Sequence, residues 1–183
     1  MPGWRRIGAG VVLLLCASTA QGAAPATTET VVRAAFLFRL TFFLTWPPEA
    51  FASADSPIRL CIGDSADPGL FKVLSEQVAT RKAQGRSLEV VRYSAKAAGP
   101  ICHLLYLGDV APGELPEGGD YAMVVVDSLK QLDRAGAIAL VREDQPGGGS
   151  KMVFYAHPQR LKQTTVGVSA KLMQLLRMHE VAG

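Results

Sequence analysis

Apolar positions repeat with two different periods along the chain, and the periods divide it into elements. From Thr28 the sequence runs TETVVRAAFLFRLTFFLTW before Pro47 and Pro48. Val32, Phe36, Leu40 and Phe43 recur at helical spacing, flanked by Leu37 and Leu44, which predicts a helix that ends before the prolines, with that stripe against the core. Thr28 or Thr30 is a candidate cap for its start. Phe38 and Phe42 fall toward another side, next to Arg39. A helix apolar over more than one face is either deeply buried or offers a second face to a partner.

Short apolar runs then alternate with helical patterns. IRLCIGDS (58–65) predicts a strand. Asp67 and Pro68 open a helix in good capping order, with Phe71, Leu74 and Val78 as its inner face. TRKAQGRS reads as a basic loop, and LEVVRY and ICHLLYLGD as the next strands. The turn-rich APGELPEGGD separates these from YAMVVVD, whose unbroken apolar run suits a sheet covered on both faces. Asp127 or Ser128 caps the short SLKQLDRAG helix. AIALVRED and KMVFYAH flank QPGGGS as a hairpin. Ser169 caps a last helix with Leu172, Leu175 and Leu176 on one side. Together these elements predict a single α/β domain: a mostly parallel sheet flanked by helices, with a late antiparallel hairpin.

The N-terminus changes the picture of where this domain works. MPGWRR is basic, VVLLLCA is apolar, and ASTAQGAA offers small residues for cleavage, the order of a secretory signal. Residues 1–23 are therefore expected to be a cleaved signal peptide and 24–183 the mature domain. An uncleaved anchor is the alternative, weakened by the shortness of the apolar run. Cys16 follows Leu15, not a small residue, so a lipoprotein site is not expected. The formal charge of the 183-residue chain is +3, and loss of Arg5 and Arg6 leaves about +1. A near-neutral chain argues against a nucleic-acid binder. Cleavage also removes Cys16 and leaves Cys61 and Cys102. An even count in an exported protein favours a disulfide, with two buried thiols as the alternative.

Candidate chemistry is sparse. Asp64, Asp109 and Asp127 stand where strands should end, the edge at which open α/β sheets bind ligands. Three carboxylates there would suit a divalent cation, although Asp is also the ordinary residue of turns and caps. His103, His157 and His179 show no metal spacing. His179 reads as solvated near a terminus, and His157 as part of a turn before Pro158. His103 adjoins Cys102, but a cysteine in a disulfide is no nucleophile. QPGGGSK lacks the order of a phosphate loop. Arg81, Lys82, Arg86, Arg92 and Lys96 form the densest charge feature, either a solvated loop or a face for an acidic partner. No catalytic residues, metal ligands or cofactor motifs emerge, and no enzymatic activity is expected.

In order along the chain, VVRAAFLFRLTFFLTWP, IRLCIGDSADPGLFKVL, CHLLYLGD, AGAIALVRED and VGVSAKLMQLL resemble the YfiR family of periplasmic proteins over about residues 30 to 178. The resemblance implies a regulator that dimerises and restrains an inner-membrane diguanylate cyclase through its periplasmic part, lowering cyclic di-GMP and biofilm formation. It places family cysteines at Cys61 and Cys102, where a bridge supports the fold and its reduction can relieve repression. Such a bridge would close a loop of about 40 residues, worth about 4 kcal/mol. Some members carry a second disulfide in the later half, where this chain has no cysteine. Ala135-Gly136 and His157-Pro158 also depart from the family pattern. Phe38, Phe42 and Arg39 are the candidate partner or dimer surface. A periplasmic small-molecule binding module, with its pocket at the carboxyl ends of the strands, is the competing expectation.

Overall fold

Thr27 starts the first helix, α1 (Thr28–Leu40), by accepting the Thr30 N–H on its hydroxyl at 3.2 Å. The cap thus lies one residue before the expected threonines. The helix also stops earlier than the prolines require. The Thr41 hydroxyl donates to the Phe38 carbonyl at 2.6 Å, and the N–H groups of Thr41, Phe42 and Phe43 reach back only three residues. This tightened end turns the chain into a short strand, β1 (Leu44–Thr45). The side-chain amide of Gln84 donates to the carbonyls of Thr41, the helix cap, and of Leu44 in β1. In this computed structural model residues 27–94, 101–108 and 121–180 are described. The expected signal segment 1–23, Lys96 and Asp109 lie outside the described residues.

After a 3-10 turn at Pro48–Ala50 the chain forms β2 (Ile58–Gly63) and α2 (Pro68–Val78), then β3 (Lys82–Ala83) and β4 (Arg86–Tyr93). The basic stretch expected as a loop is the β3–β4 hairpin. Gln84 and Gly85 both take positive φ at its tip, 53° and 79°, as a two-residue hairpin turn demands. Next come β5 (Leu104–Leu107), β6 (Met123–Val126), α3 (Leu129–Arg134), β7 (Ile138–Asp144) and β8 (Ser150–Ala156). The chain closes with α4 (Pro158–Gln163), β9 (Gly167–Val168), α5 (Ala170–Leu175) and β10 (Arg177–Met178). Asp67, Ser128 and Ser169 cap their helices as expected.

Eight strands form one sheet in the order β10-β8-β7-β6-β5-β2-β4-β3. The central neighbours are parallel, and β7–β8 is the antiparallel hairpin. A separate antiparallel pair joins β1 to β9, tying the end of α1 to the approach to α5. The architecture is the single α/β domain anticipated from the pattern of elements. Alternation on the central strands builds two cores. Leu60, Ile62, Leu104, Tyr106, Met123 and Val125 face α1, α2 and α5. Cys61, Leu105, Leu107 and Val126 face the other way, beneath Leu132 of α3.

Within α1 the buried face is Thr30, Ala34, Leu37, Phe38 and Leu40. That face is rotated from the expected stripe: Val32, Phe36 and Phe43 are only half-buried. On α2, Leu70 takes the inner place expected for Phe71. On α5, Leu172 is buried while Leu175 is 55% exposed, and Leu176 reaches the core from extended backbone just past the helix end.

Candidate functional site

Strands β2 and β5 are parallel neighbours, with Cys61 opposite Leu105. Cys102 precedes β5, and the two cysteines are joined in a disulfide with their Cα atoms 5.7 Å apart. The residue after the bridge is a buried histidine with both ring nitrogens hydrogen-bonded. His103 accepts the Arg59 N–H on Nδ1 at 3.0 Å. That bond fixes the tautomer, so Nε2 carries the proton and donates to the Ala50 carbonyl at 3.1 Å. The ring stacks on Phe51 with centroids 4.4 Å apart and meets the edge of Trp46. Burial is the main cause holding its pKa below the ordinary 6.5. A neutral imidazole with both nitrogens committed is a structural tie rather than a proton shuttle.

Asp64 and Asp127 follow β2 and β6, strands that β5 separates in the sheet. Asp64 is exposed, and Asp127 follows β6 with its carboxylate 3.9 Å from Arg33. Among the described residues no group of three or more His, Cys, Asp or Glu is placed to hold a metal ion. Arg33 also donates to the Tyr106 hydroxyl at 2.8 Å and to Glu29 at 2.6 Å. Burial pushes the Tyr106 phenol up, so it stays protonated. The Thr30 hydroxyl donates to Asp67 at 2.6 Å and is the main reason that carboxyl lies below its usual range. This network pins α1 to β5 and to the start of α2. The pattern of apolar residues carried no signal for it, because the network is made by polar side chains of α1, β5 and the start of α2.

The remaining histidines are also tied down. His157 caps α4 and is 5% exposed, a more buried place than a surface turn. His179 is not solvated as expected: it lies 2.9 Å from Asp133 and meets the edge of Tyr155. The basic cluster does not act as one face. Arg86 donates to the carbonyls of Ser53, Ala54 and Ser56 and stacks on Phe51, while Arg92 covers Phe71.

The candidate partner surface is split by depth. Phe42 is 49% exposed and Arg39 is exposed. Phe38 is 7% exposed and belongs to the core cluster, which corrects the expectation that it faces outward. The early end of α1 folds Phe42 back edge-on against Phe38 at 5.1 Å, and the Arg81 guanidinium covers its ring at the same distance. Phe38, Phe42 and Arg39 nevertheless line one groove, with α5 and β8 as its far side. Arg81, Lys171 and Leu175 complete its rim. Sequence reasoning named Arg81 in the basic cluster and Leu175 on the last helix but joined neither to this surface, and it passed over Lys171, because the three come from elements far apart in the chain.

A sequence profile of the YfiR/HmsC-like family matches residues 30–177, nearly all of the described chain. The chain belongs to this family. The YfiR/HmsC-like proteins are periplasmic regulators, which agrees with a domain whose buried His103 and Arg33–Tyr106 contacts serve its architecture. A search of curated proteins finds no match. Among the described residues no helix is long and apolar enough to cross a membrane.

Proposed function

We infer that this protein is a periplasmic regulator that binds and restrains an inner-membrane diguanylate cyclase, so that cyclic di-GMP and biofilm formation fall. Family membership across residues 30–177 carries the reading. The Cys61–Cys102 bridge supports it, because such bonds persist in oxidising compartments. The basic, apolar and small-residue order of the first 23 residues supports export. We assign Phe42 and Arg39 to the surface that meets the partner or a second copy in a homodimer, with Phe38 beneath them. A solvent-facing aromatic beside an arginine is the kind of pair that anchors interfaces.

The test is a pull-down of the tagged, exported protein from its native membranes, with and without reductant, read by mass spectrometry. Recovery of a membrane diguanylate cyclase, lost on reduction, is the expected result. Deletion of the gene should raise cyclic di-GMP, and supplying the bridged protein should bring it back down. Recovery of no signalling protein in either redox state would sink the reading.

A further inference from the structure

The groove beside the end of α1 has a volume of about 580 Å³. Preformed small-ligand pockets run from roughly 300 to 1,000 Å³. Its walls are phenylalanines held by one another. Phe36 meets Phe154 edge-on at 5.3 Å, and Phe38 meets Phe42 at 5.1 Å. Interlocked rings of this kind stand in place before any ligand arrives. The mouth is apolar too: Phe42 and Leu175 are about half exposed.

Charge around this apolar trough is of one sign. Arg39, Arg81 and Lys171 line it, and no acidic residue among the described ones does. Among the described residues none of the three has a carboxylate within ion-pair distance. Elsewhere Arg33, Arg59, Arg142 and Arg177 each hold one. The Arg81 guanidinium rests on the Phe38 ring, a contact that leaves its N–H donors uncommitted. Unpaired cations at the rim of a hydrophobic slot complement a molecule with an apolar body and an anionic end.

We propose that this groove binds a single-chain anionic amphiphile, of which a long-chain carboxylate is the simplest form. The chain lies along the phenylalanine walls, and the carboxylate accepts hydrogen bonds from the cations at the rim. An occupant there also covers Phe42 and Arg39, so it competes with the partner surface assigned above. Binding itself rests on the groove alone and is tested without any partner.

The experiment is calorimetric titration of the purified, oxidised protein with dodecanoate below its micellar concentration. Dodecyltrimethylammonium and dodecyl maltoside serve as cationic and neutral comparisons. Dodecanoate should bind saturably at one per chain, and the two comparisons at least about tenfold more weakly. Arg39→Glu with Lys171→Glu should weaken dodecanoate by about tenfold or more. Both positions are exposed, and circular dichroism checks that the double variant folds. Leu175→Asp, at the mouth, should abolish binding with the melting temperature unchanged. Equal affinity for all three amphiphiles, unsaturable uptake, or undiminished binding by the charge-reversal variant would overturn the proposal. So would binding of an acidic amphipathic peptide by a protein that ignores dodecanoate, which would make the groove a protein site.

Discussion

The indole N–H of Trp46 donates to the backbone carbonyl of His103 at 2.9 Å. Trp46 lies just beyond β1, on the segment that follows the groove-forming end of α1, and His103 directly follows the bridged Cys102. The His103 ring also binds Ala50 and stacks on Phe51. One short path therefore runs from the disulfide, through His103, to the chain that positions Phe42. Loosening the start of β5 removes support from that chain, which gives redox chemistry a physical route to the candidate partner surface.

Removing the bridge should lower stability substantially. The cysteines are 41 residues apart, a loop worth about 4 kcal/mol in the chain-entropy account. Cys61→Ala with Cys102→Ala avoids burying hydroxyls in that core cluster. Its denaturation midpoint, read from Trp46 fluorescence, should fall well below that of the oxidised parent. The parent in reductant should fall with it. An unchanged midpoint in both cases would mean that packing alone holds β2 to β5.

Gly108→Ala should destabilise more than Gly63→Ala, although both glycines precede an aspartate at a strand end. A Cβ on Gly108 would lie 2.4 Å from the Ser65 carbonyl oxygen and 2.9 Å from the Ala66 Cα, all backbone that cannot rotate away. One on Gly63 would press chiefly on a Leu107 methyl at 3.0 Å, a side chain that can shift. Overpacking at Gly108 should cost about 1–3 kcal/mol. Urea titrations of the two variants compare them directly, and equal midpoints would refute the distinction.

That pair of glycines also shows what could be read from the chain. IRLCIGDS and ICHLLYLGD were legible as strands, and the alternation of strands with helices as a mostly parallel sheet, in which the two pair as neighbours. The cysteine count was enough to suggest the bridge. What the pattern could not reveal was why Gly108 is needed, since the reason is the approach of the β2–α2 loop across the sheet. The same limit applies to α1. Its apolar residues announce a helix, but its stopping point depends on Thr41 turning back on Phe38 and on Gln84 arriving from a distant hairpin. The groove is less legible still, because Phe42, Arg81, Lys171 and Leu175 share no local motif.

Phe38 and Phe42, four residues apart, should respond differently, the first through stability and the second through partner binding. Phe38→Ala empties a buried ring site and should cost about 3–5 kcal/mol. Phe42→Asp loses little beyond the edge-on pair with Phe38, about 0.5–1.5 kcal/mol. The Phe42 variant should keep its fold by circular dichroism yet recover less partner from membranes. Full recovery of the partner by a folded Phe42→Asp protein would remove this face from the interface.

Acid should weaken the fold through its neutral histidines. Burial holds His103 below the ordinary value of 6.5 in the folded state, and His157 is shifted the same way for the same reason. The unfolded chain takes up these protons near pH 6.5, whereas the folded protein resists them until a lower pH. Stability is therefore fully present above about pH 6.5 and declines as pH falls toward the folded values. Asp67 is held below 3.8 by the Thr30 hydroxyl, so its contribution is lost only in stronger acid. Urea midpoints between pH 7.5 and 5 thus sample the histidines and not that carboxylate. His157→Asn keeps a capping side chain at the start of α4 and should reduce the slope without removing it. The part that remains belongs to His103, whose Nδ1 must surrender the Arg59 N–H on protonation. A midpoint that does not move over this range would show that His103 keeps an ordinary affinity for its proton and that the core beside the disulfide is wetter than its packing implies.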